Sequence, residues 1–297
     1  MIAQPAIQTS ELSKVFRGVT AVRGLNLVVE ANRITGFLGR NGAGKSTTIK
    51  MLLGLVQPTA GEGLVLGRRI TDRKANREAR RHVAYVAEDK PLYRYMTVEQ
   101  TIRFAASFYS DWRSDVAGNL LREFELPRDR KVKHLSKGTR TKLALLLAFS
   151  RNPQLLILDE PSEGLDPVMI ERLLELIVAQ SGQGTAVFFS SHQISEVERI
   201  SDQVCILDRG RLLLDSSLER LRQDYRRIDL LFQTEAVKQD FEMPGIERIE
   251  ANGRQLRLLT SGNAEVVIKR AHDLNALSIE MEPVGLRDIF LGLVKEQ

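Results

Sequence analysis

Short apolar runs define the first third of the chain. The segments Ile7 to Val15, Ala21 to Val29 and Ile34 to Leu38 are rich in β-branched and apolar residues and are separated by turn-forming positions, so they predict strands. A helix is predicted from about Lys45 to Leu55, directly after a glycine-rich turn. Val83 to Val86 predicts a further buried strand.

The pattern changes to helical periodicity from about Lys90 to Asn152, which predicts an inserted helical subdomain. It opens with a capping box, in which Thr97 and Gln100 satisfy each other's backbone N–H groups. Beyond it, strands and helices alternate again, with strands at 155–158, 186–189 and 203–207 and helices at 168–180 and 195–200. This alternation predicts an α/β fold with a mostly parallel sheet covered by helices.

A domain boundary is predicted near residue 225. A helix with a cap-like start at Ser216 and Ser217 runs up to it, and the segments beyond it predict strands at 228–232, 256–260 and 279–283 with a helix at 264–274. The sequence therefore predicts a large domain over residues 1–225, which contains the helical subdomain at about 90–152, and a small α+β domain over residues 226–297.

The composition is that of an ordinary globular protein, with 43% hydrophobic and 27% charged residues among 297. The longest apolar run, Leu143 to Phe149, is far shorter than the roughly 20 residues of a membrane-spanning helix, so none is expected. The start of the chain has neither a basic nor an apolar signal region. Cys205 is the only cysteine and is expected to be a buried structural thiol. These features predict a cytosolic protein.

The positive charge is concentrated in one segment. Lysine and arginine exceed aspartate and glutamate by 43 − 38 = 5, and the segment from Arg68 to Arg81 holds seven basic residues against two acidic ones, which equals that excess. The segment is either a solvated helix face or a surface that binds phosphates of a nucleic acid or an anionic membrane.

The run Gly39-Arg40-Asn41-Gly42-Ala43-Gly44-Lys45-Ser46 matches the phosphate-binding P-loop pattern and lies, as that pattern requires, between a strand and a helix. Its glycines let backbone N–H groups surround phosphates, Lys45 reaches the β and γ phosphates, and Ser46 offers a hydroxyl to Mg²⁺. The predicted ATP-binding residues of this loop are Gly39, Asn41, Gly42, Ala43, Gly44, Lys45, Ser46 and Thr47.

The apolar run from Leu155 to Leu158 ends in two acidic residues, at the edge of a parallel sheet where ligands bind. Asp159 is predicted to hold Mg²⁺, and Glu160 to polarise the water that attacks the γ phosphate. By itself this pattern also fits carboxylates that only cap the next helix.

With both motifs, residues 7 to 217 resemble the ATP-binding cassette (ABC) family. The segment Leu135-Ser136-Lys137-Gly138-Thr139 resembles the signature loop of that family and precedes the acidic strand, as the family order demands. The resemblance implies that Ser136 and Gly138 contact the γ phosphate bound on the opposite subunit, while Lys137 replaces the first glycine of the loop. Ser136 also fits an N-cap of the following helix.

Four further positions take roles from the resemblance. Asp166 ends a segment similar to the D-loop, and His192 follows a strand as the switch histidine does, so it is expected to contact the γ phosphate and orient the water of Glu160. Glu88 stands where the family usually has glutamine; its carboxylate can reach Mg²⁺ or water but cannot donate a hydrogen bond when ionised. Phe16 resembles the aromatic residue that stacks on adenine, or is a core residue.

The resemblance implies an ATPase subunit that drives a transmembrane transporter from the cytoplasmic face of the membrane. It implies ATP and Mg²⁺ as ligands, a head-to-tail homodimer with two ATP molecules, and an integral membrane permease that places a helix on the helical subdomain. The run from Leu286 to Leu291 resembles cassettes paired with separately encoded export-type permeases. The transported substrate contacts the permease, so this chain does not name it.

Two other classes of protein fit the sequence less well. A soluble ABC ATPase that acts on ribosomes or nucleic acid usually has two cassettes, long coiled coils or zinc insertions, and this chain has one cassette, one cysteine and no sustained heptads. A catalytically inactive nucleotide-binding module is disfavoured because Lys45, Asp159, Glu160 and His192 are all present.

Overall fold

The computed structural model describes residues 4–236 and 238–294. The chain forms two compact units, one up to Asp215 and one from Ser216 onward. The helix Leu218–Asp224, which the sequence analysis placed at the end of the first domain, falls in the second unit.

The first unit contains strands β1 to β11 and helices α1 to α7, although the last two residues of β11 fall in the second unit. The strands are β1 Ile7–Phe16, β2 Val19–Leu25, β3 Val28–Val29, β4 Ile34–Leu38, β5 Ala60–Val65, β6 Arg68–Arg69, β7 Val83–Val86, β8 Leu155–Asp159, β9 Ala186–Ser191, β10 Gln203–Asp208 and β11 Arg211–Ser217. The helices are α1 Lys45–Leu52, α2 Arg73–Arg81, α3 Val98–Ala106, α4 Ser114–Glu123, α5 Lys137–Phe149, α6 Pro167–Gly182 and α7 Ile194–Ile200.

A six-stranded sheet of order β11-β10-β4-β9-β8-β7 forms the centre of this unit, and its neighbours from β7 to β10 pair in parallel. Every residue of β4, β8 and β9 is buried, as expected of strands covered on both faces. Because the carboxyl ends of parallel strands meet at one edge, the segments after these three strands lie side by side. They are the P-loop after β4, Glu160 directly after Asp159 at the end of β8, and the segment of His192 after β9.

The predicted strand Ile7 to Val15 corresponds to β1, and the predicted strand Ala21 to Val29 is divided into β2 and β3. They belong to a separate antiparallel sheet of order β2-β1-β5-β6, to which β3 is added through β1. Strand β5 was not predicted, because Gly61 and Gly63 interrupt its apolar pattern. Strand β6 and helix α2 form the basic segment. The α2 residues Asn76 and Ala79 are buried while most of its arginines face solvent, which agrees with a solvated helix face.

Helices α3 to α5 form the region of predicted helical periodicity, and the capping box is confirmed. Thr97 Oγ1 accepts the backbone N–H of Gln100 at 3.1 Å, and the Thr97 N–H donates to Gln100 Oε1 at 2.9 Å. Cys205 lies fully buried in β10, as expected. In residues 4–236 and 238–294, no helix has the length and apolar character needed to cross a bilayer.

The second unit is an antiparallel sheet of order β13-β14-β12-β15 with helices α8 to α10. Its elements are α8 Leu218–Asp224, β12 Arg226–Leu231, β13 Ile246–Asn252, β14 Gln255–Thr260, α9 Ala264–Asp273, β15 Ser278–Pro283 and α10 Leu286–Leu293. Its core joins residues of β12 and β14 to Val267 and Ala271 of α9. Strand β13 was not predicted.

Candidate active site

The P-loop connects β4 to α1, and its glycines are required by geometry. Gly42 and Gly44 have φ angles of +82° and +108°, in the left-handed region that L residues rarely adopt. A Cβ atom at Gly44 would lie 2.4 Å from the carbonyl oxygen of Ala21, and one at Gly39 would lie 2.5 Å from that of Leu207. The loop therefore packs tightly under the N-terminus of α1, where backbone N–H groups favour an anion.

Lys45, the first residue of α1, is almost fully buried. Its Nζ donates to the carbonyl oxygen of Gly39 at 2.7 Å and to that of Arg40 at 3.4 Å. It also lies 3.1 Å from Oε1 of Glu160. The ammonium is thus fixed at the carboxyl edge of the sheet, where the P-loop lysine of nucleotide hydrolases faces phosphates.

Ser46 and Asp159 approach each other across this edge. Ser46 Oγ lies 3.2 Å from Asp159 Oδ1 and 3.3 Å from Glu88 Oε2. Asp159 is fully buried, and Oδ1 also accepts the hydroxyl of Ser190 at 2.6 Å. Burial raises the pKa of Asp159, and the hydrogen bonds from Ser190 and Ser46 oppose that rise.

These oxygen atoms fit a hard divalent cation. Asp159 Oδ2 is buried and has no hydrogen-bond partner among the residues that the structure describes. Those residues contain no cluster of three or more His, Cys, Asp or Glu side chains that could hold a metal ion. Mg²⁺ commonly takes one or two carboxylates and completes its shell with phosphates and water. Ser46, Asp159 and Glu88 provide such a partial set.

Glu160 lies between a lysine and a histidine. Its Oε2 is 2.7 Å from Nδ1 of His192 and also accepts the backbone N–H of His192 at 3.3 Å. Since a carboxylate only accepts, the network assigns the proton to Nδ1 and leaves Nε2 for another partner. The imidazole is 46% exposed, so that second nitrogen has access to a ligand.

The backbone of Glu160 has φ +47°, in the left-handed region. Such a conformation costs about 1 to 3 kcal/mol and persists only where surrounding contacts impose it. The Glu160 N–H donates to the carbonyl oxygen of Ser190 at 3.2 Å and lies 3.1 Å from its hydroxyl. Ser190 therefore fixes both carboxylate residues, Asp159 through the side chain and Glu160 through the backbone.

The predicted signature loop packs on the segment after β8. Ser136 caps α5, since its Oγ accepts the N–H of Thr139 at 3.1 Å. Lys137 pairs with Glu163, and a Cβ atom at Gly138 would lie 2.5 Å from the carbonyl oxygen of Gly164. Within the described part of the chain, no hydrogen bond or ion pair joins residues 136–138 to the P-loop. The structure thus does not bring these residues to Lys45 within one subunit.

Asp166 and Phe16 lie at the ends of elements. Asp166 caps α6 by accepting the N–H of Met169 at 3.0 Å. Phe16 ends β1 and is 43% exposed, which rules out the alternative that it is a core residue. The ammonium of Lys14 lies 4.8 Å from the centre of its ring. Phe16 therefore presents an aromatic ring to solvent.

Two buried charged residues beside this site were missed from the sequence. Glu196 of α7 accepts the hydroxyls of Ser162 and Ser191 through Oε2, each at 3.0 Å, and burial raises its pKa. Lys90 donates from Nζ to the carbonyl oxygen of Glu160 at 3.3 Å, and burial lowers its pKa. A loop lysine gives no signal of burial. Ser190 and Ser191 could have been found as polar residues at the edge of a parallel sheet.

The fold and the glycine-rich loop at its carboxyl edge define a P-loop ATPase. Comparison with known proteins specifies the family. A profile of the ABC transporter family matches residues 22–163. The bacitracin transport ATP-binding protein BcrA of Bacillus licheniformis is 31% identical over 97% of each chain. The Nod factor export ATP-binding protein I of Neorhizobium galegae is 31% identical over 97% of this chain and 84% of its own.

A solved structure of an ATP-binding subunit of an ABC transporter is 34% identical, covers 73% of this chain and 92% of its own, and gives a TM-score of 0.68. The chain belongs to the ATP-binding subunits of ABC transporters. Its predicted fold class, its family and its ATPase activity are thereby confirmed. The alternative of an ATPase acting on ribosomes or nucleic acid is not favoured.

Proposed function

We propose that the first unit hydrolyses ATP with Glu160 as the general base and drives export through a separate membrane permease. The observation that carries this proposal is the position of the Glu160 carboxylate, which is held between Lys45 at 3.1 Å and His192 at 2.7 Å. A base fixed beside the P-loop lysine lies next to the place where a γ phosphate binds.

The chemistry follows from these contacts. The N–H groups of residues 39–46 and the Lys45 ammonium bind the phosphates of ATP, and the exposed ring of Phe16 stacks on adenine. Glu160 accepts a proton from water as the water oxygen bonds to the γ phosphorus. The bond between the γ phosphorus and the bridging oxygen breaks, and that oxygen leaves with ADP. His192 donates from its backbone and Nδ1 to Glu160 and turns Nε2 to the γ phosphate. Mg²⁺ on Ser46, Asp159 and Glu88 would neutralise phosphate charge.

A second subunit completes each site in this proposal. The assignment of Ser136 and Gly138 as trans ligands is supported by their position at the start of α5, where Ser136 is exposed and caps the helix. Two chains packed head to tail would place the signature loop of each over the ATP of the other. Lys137 and Asp166 would line the same seam.

A groove and an aromatic surface support docking of a permease helix. The groove, about 360 Å³, lies between β7 and helices α3 and α5 and is lined mainly by apolar side chains. Beside it stands an aromatic cluster, which consists of the exposed residues Tyr93, Tyr95, Phe104 and Phe108 with ring centres 4.8 to 5.8 Å apart. Exposed apolar surfaces of this kind mark interaction sites, and an amphipathic helix fits such a groove.

The export direction is proposed from the relatives named for bacitracin transport and Nod factor export and from the α10 segment. In this proposal the protein works on the cytoplasmic face of the membrane. The test is to recover the tagged chain from membranes in mild detergent and identify what co-purifies. A polytopic permease supports the proposal, and ribosomes without a permease overturn it. Replacing Phe104 and Phe108 by Ser should reduce recovery of the permease, whereas Val178→Ser, at an exposed apolar position on α6, should not.

A further inference from the structure

Lys90 is a buried cation beside the active site, which the mechanism above does not use. The residue is 6% exposed, and its Nζ donates to the carbonyl oxygen of Glu160 at 3.3 Å. The charges of Glu163, Glu88 and Asp159 favour its ammonium, and that of Lys137 opposes it. A buried ammonium loses hydration, which is unfavourable unless polar partners replace the water. The carbonyl oxygen of Glu160 and the neighbouring carboxylates are such partners for Lys90.

The loop that carries Lys90 is itself constrained. Lys90 has φ +44°; its N–H donates to the carbonyl oxygen of Ala87 at 3.3 Å, and its own carbonyl oxygen accepts the N–H of Leu92 at 2.8 Å. This turn aims the side chain inward from the segment that follows Glu88. Lys90 also lines the groove next to β7. One side chain therefore lies between the groove and the backbone of Glu160.

The backbone of Glu160 is held on both sides. On one side, Ser190 accepts the N–H of Glu160. On the other, the carbonyl oxygen of Glu160 accepts from Nζ of Lys90 and from the N–H of Glu163, both at 3.3 Å. Of these partners only Lys90 brings a full charge, and hydrogen bonds from charged donors are about twice as strong as neutral ones. The left-handed conformation of Glu160 requires such support, because the strain would otherwise relax and turn the carboxylate away from Lys45 and His192.

We propose that Lys90 is a positioning residue for ATP hydrolysis: its ammonium holds the Glu160 carbonyl and thereby fixes the carboxylate for the attack of water. In this role Lys90 acts through the backbone of Glu160 and not by direct contact with the nucleotide. This inference rests on the proposed role of Glu160. Lys90 also connects the groove to the catalytic glutamate. A molecule that occupies the groove and moves Lys90 would weaken the hydrogen bond to the Glu160 carbonyl oxygen.

The test compares Lys90→Met, Lys90→Arg and the exposed control Lys133→Met in the full chain. ATP turnover is measured per nucleotide-binding site, counted with a fluorescent ATP analogue, so unfolded protein does not lower the rate. Lys90→Met should lower kcat about tenfold with KM within about twofold, because a small displacement of a catalytic group slows the chemical step. Lys90→Arg keeps a charged donor and should restore at least half of the rate, and Lys133→Met should match the wild type.

Glu160→Gln separates this inference from the proposed function. In the Glu160→Gln background, Lys90→Met should have no further effect, because the residual rate no longer depends on a placed carboxylate. If Glu160→Gln is inactive while Lys90→Met turns over normally, or if the two losses multiply, the positioning role is wrong and the base assignment stands. If Glu160→Gln turns over normally, the proposed function fails instead.

Discussion

Glu160 and His192 are joined twice, since Oε2 of the carboxylate accepts both the ring Nδ1 at 2.7 Å and the backbone N–H at 3.3 Å. The pairing couples the rotamer of the histidine to the position of the carboxylate. It connects the ends of β8 and β9, which are neighbours in the sheet. The ring contact depends on the side chain of His192, whereas the backbone contact does not.

His192→Ala should therefore lower kcat more than it lowers nucleotide affinity. It removes the ring contact to Glu160 and the contact proposed for Nε2, and leaves the P-loop intact. We expect kcat to fall about 100-fold, the scale of a lost transition-state contact. Steady-state hydrolysis and equilibrium binding of a fluorescent ATP analogue measure the two effects. His82→Ala, at another exposed histidine, should change neither. An unchanged kcat in His192→Ala would remove this residue from the mechanism.

Lys45→Ala should abolish hydrolysis and strongly weaken nucleotide binding. The substitution removes the buried ammonium of the P-loop and leaves the carboxylate of Glu160 without its 3.1 Å partner. Calorimetric titration with ATP and a phosphate-release assay measure both effects. Lys50→Ala, an exposed lysine on the same helix, is the matched control. Near-normal turnover by purified Lys45→Ala would refute the phosphate-binding assignment.

Glu88 replaces the glutamine usual in the family, and its Oε2 lies 3.3 Å from Ser46 Oγ. Glu88→Gln should keep substantial ATPase activity, because the amide oxygen can still reach Mg²⁺ or water. Glu88→Ala should uncouple hydrolysis from transport. Both rates are measured in vesicles reconstituted with the permease, beside Asp89→Asn as the neighbouring exposed control. Normal transport by Glu88→Ala would show that this position is not a coupling element.

Much of the site was predictable because local geometry dictates its sequence. The P-loop glycines have φ angles that L residues rarely adopt or contacts too close for a Cβ atom, and β4, β8 and β9 are buried throughout and mainly apolar apart from the polar residues at the ends of β8 and β9 and Thr35 in β4. The strands of the six-stranded sheet that carry the site were therefore predicted to within about two residues.

The rest depends on contacts between distant segments. Strand β5 forms despite its glycines because β1 pairs along it. The partners of the buried residues Lys90 and Glu196 come from β9 and from the loop after β8, which are far from them in sequence or meet them only in the folded chain. The left-handed backbone of Glu160 likewise follows from its fixation by Ser190 and Lys90. Such features have no signature in hydrophobic pattern or composition.

Ser136 tests whether two subunits share each site. With ATP and Mg²⁺, Glu160→Gln should accumulate as a closed dimer, since binding continues while the chemical step is slow. Adding Ser136→Ala should reverse this, whereas adding Ser114→Ala, at another exposed helix start, should not. Analytical ultracentrifugation over a range of protein concentrations, with the permease added where it has been identified, measures the outcome. A Glu160→Gln protein that stays monomeric at saturating ATP alongside the permease, or a dimer unaffected by Ser136→Ala, would refute the shared site.

The most direct measurement of the central claim is ATP turnover and nucleotide binding by Glu160→Gln, beside the wild type and the exposed control Glu62→Gln. The substitution keeps the size of the side chain and removes its ability to accept a proton. The account predicts ATP binding within about threefold of the wild type and turnover lower by at least about 100-fold, the scale of general-base catalysis. Glu62→Gln should match the wild type in both. Turnover by Glu160→Gln within a few fold of the wild type, with nucleotide bound normally, would contradict the account.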